Sequence, residues 1–563
     1  MWRYWLFGAA LCACNLPEDP YGLFGPPTPE SLGRTARPPT ALSGGTLALA
    51  DPFLVVADTD RDRIVLVHTL RKVVTDEIPN VSEPGRILVA DDGQVHVALR
   101  GSGELLSFRP REPEKAMKTK VCGAPRGLAE VDEKVWVACA SGALHVVDPQ
   151  TGHSTLLATP ASDLRDLVVF RDRVFASRFQ SAEVLELDRH GRIVQVIRPL
   201  APTDAQAVVA WRLVVTGDRR LALLHQIAHP RRPAAAPVYY SPVGPCGSMV
   251  TSALTVFDPD AATAPQVMQL DQTPLALDVV VDSDGQAALA AAGVRGASSA
   301  RLMATEDLSD CKAPDAAGVG ADARYVAVAR FGKNLAFQSL DPPRIDGRTD
   351  DGETWSVALP GPASDDRGHA LFHDATAAGL ACASCHPEGG DDGVVWLLDG
   401  PRRTQYLAGG LDAPFHWKGD LVDLEALLSD VLTRRMFGPT LDDPAMQAFG
   451  RWLDALPQPL PDAPADLEAV ARGEALFHGA AACGTCHVGG GGVDGLAHDV
   501  GTGEVLQTPS LRNLAARTSL MHTGCAATLA ERFDPACGGD RHGNTADLSP
   551  TGRADLIAYL NTL

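Results

Sequence analysis

The sequence predicts a multidomain chain in which an all-β propeller of about seven blades is followed by two small all-α domains. Three observations carry this reading. A unit of about forty residues recurs through the first 350 residues, an unrelated segment of about a hundred residues is duplicated in the last third, and each copy of that segment holds one Cys-x-x-Cys-His motif. At 563 residues the chain exceeds what one core holds, and 45% hydrophobic with 21% charged residues is ordinary globular composition.

The first residues, MWRYWLFGAALCAC, place Arg3 before an apolar stretch too short to span a bilayer, which reads as a secretory signal over residues 1–13. Leu11-Cys12-Ala13-Cys14 resembles the lipobox of bacterial lipoproteins, and the resemblance implies that Cys14 is acylated and becomes the mature N-terminus. Residues 14–43, rich in Pro and Gly, then read as a lipidated tether. The expected location is the periplasm or cell surface, with the N-terminal lipid as the membrane contact.

Residues 44–350 carry the propeller repeat: a β-branched run, a small or charged turn, a second run, then Asp or Gly punctuation. It appears in FLVVADTDRDRIVLVH from Phe53, QVHVALRGSGELLSF from Gln94, KVWVACASGALHVVD from Lys134 and RVFASRFQSAEVLELD from Arg173. RLALLHQ from Arg220, rejoined at SALTVFDPD from Ser252, is the fifth unit; QAALAAAGV from Gln286 and RYVAVARFGKNLAFQS from Arg324 complete seven. Such a unit cannot cover both faces of its sheet alone, so the units pack radially. Residues 226–251 read as a long loop interrupting the fifth. Arg178-Phe179 and Arg330-Phe331 fall at matching places in two units, which suggests one shared rim. Asp58, Asp148 and Asp258 lie at strand ends and read as turn caps.

A net charge of -21 excludes nucleic acid as a partner and leaves a basic redox partner protein as the expected one. Of the twelve cysteines, Cys12 and Cys14 belong to the leader and four to the two motifs. Six remain, and neighbours in sequence suggest Cys122 with Cys139, Cys246 with Cys311 and Cys525 with Cys537, although order alone does not choose the connectivity. Three disulfides imply an oxidising compartment.

Cys382-Ala-Ser-Cys385-His386 and Cys483-Gly-Thr-Cys486-His487 are the c-type haem attachment pattern. On one helical turn two thiols reach the two vinyl groups of a porphyrin, and the next residue, His, lies under the iron as proximal ligand. Two covalently bound haem c groups are therefore expected. A thioredoxin-like dithiol or a zinc site would need a βαβ context or a further cysteine pair nearby.

The duplication surrounds these motifs. Arg367-Gly-His-Ala-Leu-Phe-His373 returns as Arg472-Gly-Glu-Ala-Leu-Phe-His478, Thr404-Gln-Tyr-Leu407 as Thr508-Pro-Ser-Leu511, and His416-Trp-Lys-Gly aligns with His522-Thr-Gly. Each copy ends in a segment of helical periodicity, from Met446 and from Gly552, giving cytochrome c order, with an opening helix, haem motif, loop and closing helix, over 364–458 and 465–563. These residues, with Arg403-Thr404-x-x-Leu407 and Phe415-His416-Trp417-x-Gly419, resemble the bacterial di-haem cytochrome c peroxidase and MauG superfamily. That resemblance implies two class I-like, all-α cytochrome c domains exchanging electrons, with Trp417 as the inter-haem tryptophan. It also exposes departures: Arg435-Met436 stands where the peroxidases keep an acid before the methionine, and no histidine lies between Pro387 and Leu407. Electron transfer is accordingly the expected function, with a peroxidase or MauG-like oxidoreductase as the alternative and the propeller as a docking module. Aligning His416 with His522 places Met436 and His542 each 20 residues further on, so these are the expected sixth ligands, opposite His386 and His487 respectively.

Overall fold

The computed structural model describes residues 37–230 and 246–563, apart from 263, 264, 266, 307–310, 399, 465 and 490. The signal segment, Cys12, Cys14, most of the tether and residues 231–245 of the loop in the fifth unit lie outside the described residues.

Seven four-stranded antiparallel sheets form a seven-bladed propeller. Each blade is built from four consecutive strands, and the first strand of each packs against the first strands of the neighbouring blades around the axis. In the first five units the pattern read from the sequence is the second and third strands of a blade, as in Phe53–Asp58 and Arg63–His68, whereas in the seventh it is the first and second, Tyr325–Phe331 and Asn334–Leu340. These are almost wholly buried because neighbouring blades sandwich them, whereas the outer strand Val73–Pro79 is half exposed and too polar to stand out. Gln338 of the last blade closes the ring on the first: its Nε2 donates to Ala57 O at 2.9 Å, and its Oε1 accepts from Thr46 Oγ1 at 2.8 Å. The seventh blade ends with strand Thr354–Ala358, beyond the expected boundary at 350.

Two readings of blade residues change. Arg178 ends a second strand, Arg173–Arg178, whereas Arg330 lies in a first strand, Tyr325–Phe331, so the two arginines are not equivalent. Arg178 pairs with Asp163 and Glu183, and Arg330 with Asp282, which is packing within and between blades. Asp148 and Asp258 do cap turns, accepting from the N–H of Gln150 and Asp260. Asp58 is instead the buried partner of Arg61 and Arg63.

Beyond the propeller the described helices are α1 (Arg367–His373), α2 (Cys382–Cys385), α3 (Leu424–Leu428), α4 (Asp443–Asp454), α5 (Leu467–His478) and α6 (Pro550–Leu560). None of the described helices is long and apolar enough to cross a membrane. Asp366, Asp423, Asp442, Asp466 and Ser549 cap five of them, each accepting a backbone N–H of the first turn. This region is not purely helical, because two short antiparallel pairs also form, Val395–Leu397 with Pro401–Arg403 and Ala497–Asp499 with Val505–Gln507.

The duplicated Arg-Gly explains itself in three dimensions. A Cβ on Gly368 would stand 2.3 Å from Ala448 O of α4, and one on Gly473 would stand 2.0 Å from Asp555 O of α6. In both copies glycine is therefore what lets the opening helix cross the closing one. The first copy shares a continuous core with the propeller, in which Phe372, Phe449 and Trp452 join Trp211 and Val326. The second has its own core around Phe477, Leu514 and Leu556. The end of the expected tether is not free: Trp452 Nε1 donates to Pro39 O at 2.8 Å, and Leu42 N donates to His373 Nε2 at 3.1 Å.

Candidate functional site

All three expected disulfides are present, Cys122–Cys139, Cys246–Cys311 and Cys525–Cys537. Cys382, Cys385, Cys483 and Cys486 form no disulfide, although each pair is only three residues apart. Burial pushes the Cys382 thiol up to about 12, and raises Cys385 and Cys483 as well. A dithiol working by exchange needs its thiolate made easier to form, so the environment of Cys382 and Cys385 does not suit thioredoxin-like chemistry.

Both motif histidines are oriented by the backbone that follows them. His386 Nδ1 donates to Gly390 O at 3.3 Å, and His487 Nδ1 donates to Gly492 O at 2.8 Å. A carbonyl can only accept, so the proton sits on Nδ1 and Nε2 carries the lone pair. Burial lowers the affinity of both rings for a second proton.

In the first copy, α2 presents Cys382, Cys385 and His386 to a cavity of about 330 Å³ that also reaches Met436, His416 and Trp417. Met436 is 5% exposed and follows the π-helical turn Ser429–Arg435, whose wider pitch ends at this residue. The second copy adds Gln507, Thr508 and Arg517 to the wall, and the propeller adds Met249 and Val250. Arg402, Arg403, Arg435 and Arg517 line the same space. In the second copy His542 follows the turn Gly539–Arg541, and its ring faces that of His487 with centroids 6.1 Å apart. Burial, with Arg532 beside it, pushes the His542 imidazole down to about 3, so it is neutral at ordinary pH.

The structure moves the register between the copies by one residue. Phe415 bridges Leu421 as Leu520 bridges Ala526; His416 and Met521 both have φ of 67°, and Gly419 and Gly524 both have 65°. His416 is therefore equivalent to Met521, and Trp417 to His522. The equal spacing of 20 residues that singled out Met436 and His542 does not survive this, since His542 lies 21 residues beyond Met521. What the two share is a place at the end of a short helical turn.

The copies meet around a local two-fold relation. Arg403 N donates to His522 O and Gln507 N donates to Trp417 O, both at 2.8 Å. Trp417 Nε1 donates to Arg403 O at 2.7 Å. Gln180 of the fourth blade ties both copies down: its Nε2 donates to Asp391 Oδ1, and its Oε1 accepts from Thr518. Asp391 also forms a buried ion pair with Arg403 at 2.8 Å.

Sequence reasoning missed Glu388, which pairs with Arg100, Arg126 and Arg165 of three successive blades. Its signal was available, because the second copy has Gly489 at that position. Also missed was a group around the second motif, where ligand atoms of Cys486, Asp494 and His498 lie within 4.8 Å of one another. A thioether on Cys486 would remove its sulfur from any such set.

No protein-family model and no curated protein sequence matches the chain. Among solved structures, a chain of Kuenenia stuttgartiensis hydrazine synthase aligns at 16% identity and a TM-score of 0.43, over 58% of this chain and 98% of that one. A xenon-pressurised structure of the same enzyme aligns at 22% identity and a TM-score of 0.32, over 36% of this chain and 89% of that one. A streptogramin B lyase aligns at 8% identity and a TM-score of 0.32, over 58% of this chain and 86% of that one. At these scores the likenesses carry no argument about function.

Proposed function

We propose that this chain is an exported di-haem c-type cytochrome that transfers electrons, with the propeller as a scaffold for its first haem domain. The observation that carries the reading is the pair of motif histidines, each with Nδ1–H committed to a backbone carbonyl and Nε2 left for a metal. His487 and His542, with ring centroids 6.1 Å apart, are the two imidazoles that would hold the metal of the second site.

In this reading Cys382 and Cys385 hold one porphyrin as thioethers and Cys483 and Cys486 hold the other. His386 and His487 are the proximal ligands, and Met436 and His542 the opposite ones. Haem supplies reversible one-electron chemistry; the protein decides at what potential and to whom. Arg517, whose guanidinium donates to the Ser510 and Arg512 carbonyls, would supply positive charge for a porphyrin carboxylate in the first cavity, whereas Arg402 and Arg403 are paired with Glu504 and Asp391. Trp417 and His522 fill the space between the copies. The external partner is a redox protein, with a basic face favoured by the charge of -21. Three disulfides support an oxidising compartment, and lipid on Cys14 supplies the anchor.

A peroxidase or MauG-like oxidoreductase is the second reading, favoured by one observation: His416 and Arg435, groups able to move a proton or stabilise an anion, share the first cavity with Met436. Turnover of hydrogen peroxide with a reduced donor separates the two. The electron-transfer reading expects little or none, and rapid turnover would replace it. The test of the haem itself is its covalent attachment, measured on denatured protein.

A further inference from the structure

Glu388 lies two residues beyond His386, in the turn Pro387–Gly389. Its carboxylate is 10% exposed and meets Arg100 at 3.2 Å, Arg126 at 2.9 Å and Arg165 at 2.8 Å, one arginine from each of three successive blades. The backbone there is left-handed, with φ of 54°, a conformation that L side chains pay to adopt. At the same position the second copy has Gly489, with φ of 65° and nothing within 4 Å of where a Cβ would stand. Both copies therefore place a left-handed residue two positions after the histidine, although the ring proton goes to the fourth residue on in the first copy and to the fifth in the second. One runs free, and the other carries a strained glutamate seated in a propeller socket.

That turn is also what aims the histidine. Gly389 N donates to His386 O at 3.0 Å, Gly390 N donates to Pro387 O at 2.9 Å, and Gly390 O receives the His386 Nδ1 proton. From the other side Leu407 N and Ala408 N both donate to Gly389 O, at 3.0 and 2.8 Å. Glu388 thus fixes the proximal ligand through the backbone, and the socket that holds it carries three positive charges against one negative, two residues along the chain from the histidine.

Resting on the di-haem reading, we infer that the propeller sets the redox poise of the first haem through this socket, with Glu388 as the positioning residue. One-electron reduction lowers the positive charge at the metal by one. Neighbouring positive charge therefore favours the reduced form and raises the potential; the second site has Arg532 of its own copy beside it, but with Gly489 open to solvent it has no propeller socket. A function follows for the blades beyond docking: three of them tune one redox site and leave its duplicate alone.

The test is a spectroelectrochemical titration of the full-length di-haem protein as wild type, Glu388→Gln and Arg126→Gln. A chain with Cys483→Ser and Cys486→Ser, which keeps only the first haem, assigns the midpoints. Glu388→Gln should shift the first midpoint upward, Arg126→Gln should shift it downward, and the second should hold still in both. Mere loosening of the turn would move both variants in the same direction. That result, or no shift in either, overturns the inference. Should Glu388→Gln not fold, Arg100→Gln, which leaves two arginines on the carboxylate, must still shift the first midpoint downward and spare the second. A wild-type chain without two covalent haems overturns the di-haem reading itself, and the inference with it, before any variant is made.

Discussion

The rings of Trp417 and His522 meet at 6.0 Å between centroids and 57° between planes, and the two residues hold equivalent places in the two copies. Equivalent residues touch only near a two-fold relation. The reciprocal bonds from Arg403 to His522 and from Gln507 to Trp417 mark the same spot. The boundary between the copies is thus defined by main-chain pairing, with one aromatic contact at its centre. Trp417→Ala should slow electron exchange between the two sites by at least about tenfold, read by stopped-flow with each haem followed at its own wavelength. An unchanged rate would show that this contact is packing alone.

The sixth ligands are tested separately. Met436→Ala should abolish the sulfur-to-iron charge-transfer band of the oxidised protein, and His542→Ala should convert one low-spin haem to high spin. Thioether ligation raises potential relative to imidazole, so the first site should be the higher of the two in the parent protein. If neither spectrum changes, Met436 and His542 are not ligands, and His416 and Met521 are the next residues to replace.

Acid should loosen the seam between the first copy and the propeller. His373 is wholly buried, accepts Leu42 N–H on Nε2 and donates Nδ1–H to His369 O, which leaves no site for a second proton. Burial, with Arg324 adding repulsion, pushes its imidazole down to about 3. A histidine whose folded pKa is depressed contributes stability fully present above the unfolded value of about 6.5 and lost as pH falls through the folded value. On that basis up to about 4 kcal/mol is at stake between pH 6.5 and 3. Urea midpoints followed across this range should fall in the parent, and fall less steeply in His373→Gln. Parallel slopes would remove His373 from the account.

The propeller was legible because its inner strands are β-branched runs under a fixed period, and the blade count followed. Outer strands such as Val73–Pro79 and Thr354–Ala358 were not, since half-exposed strands carry polar residues that look like loop. The cysteine pairing was legible because each pair is adjacent in sequence once the haem motifs are set aside. The alignment of the copies was legible to within one residue. Identity of type drew His416 onto His522, whereas the backbone puts Met521 there, because a left-handed position followed by glycine is a conformational signal that side-chain chemistry hides. The Glu388 socket was half legible: Glu388 against Gly489 marks a difference between the copies, but its arginines are 223 to 288 residues away in sequence, and only closure of the blades brings them together.

Lipid on Cys14 is expected from the leader. Mass spectrometry of the mature N-terminus should find a diacylated or triacylated Cys14 as first residue. An unmodified peptide beginning elsewhere would remove the anchor and leave the rest of the account standing.

The central claim is that two haem groups are covalently bound, one by Cys382, Cys385 and His386 and one by Cys483, Cys486 and His487. The pyridine haemochrome spectrum of acid-acetone-extracted, denatured protein tests it most directly. Two haems per chain should stay with the polypeptide, falling to one in Cys382→Ser with Cys385→Ser, to one in Cys483→Ser with Cys486→Ser, and to none when all four are replaced. Haem that extracts into the solvent, or a chain that carries none after expression with the haem-attachment machinery, would contradict the account.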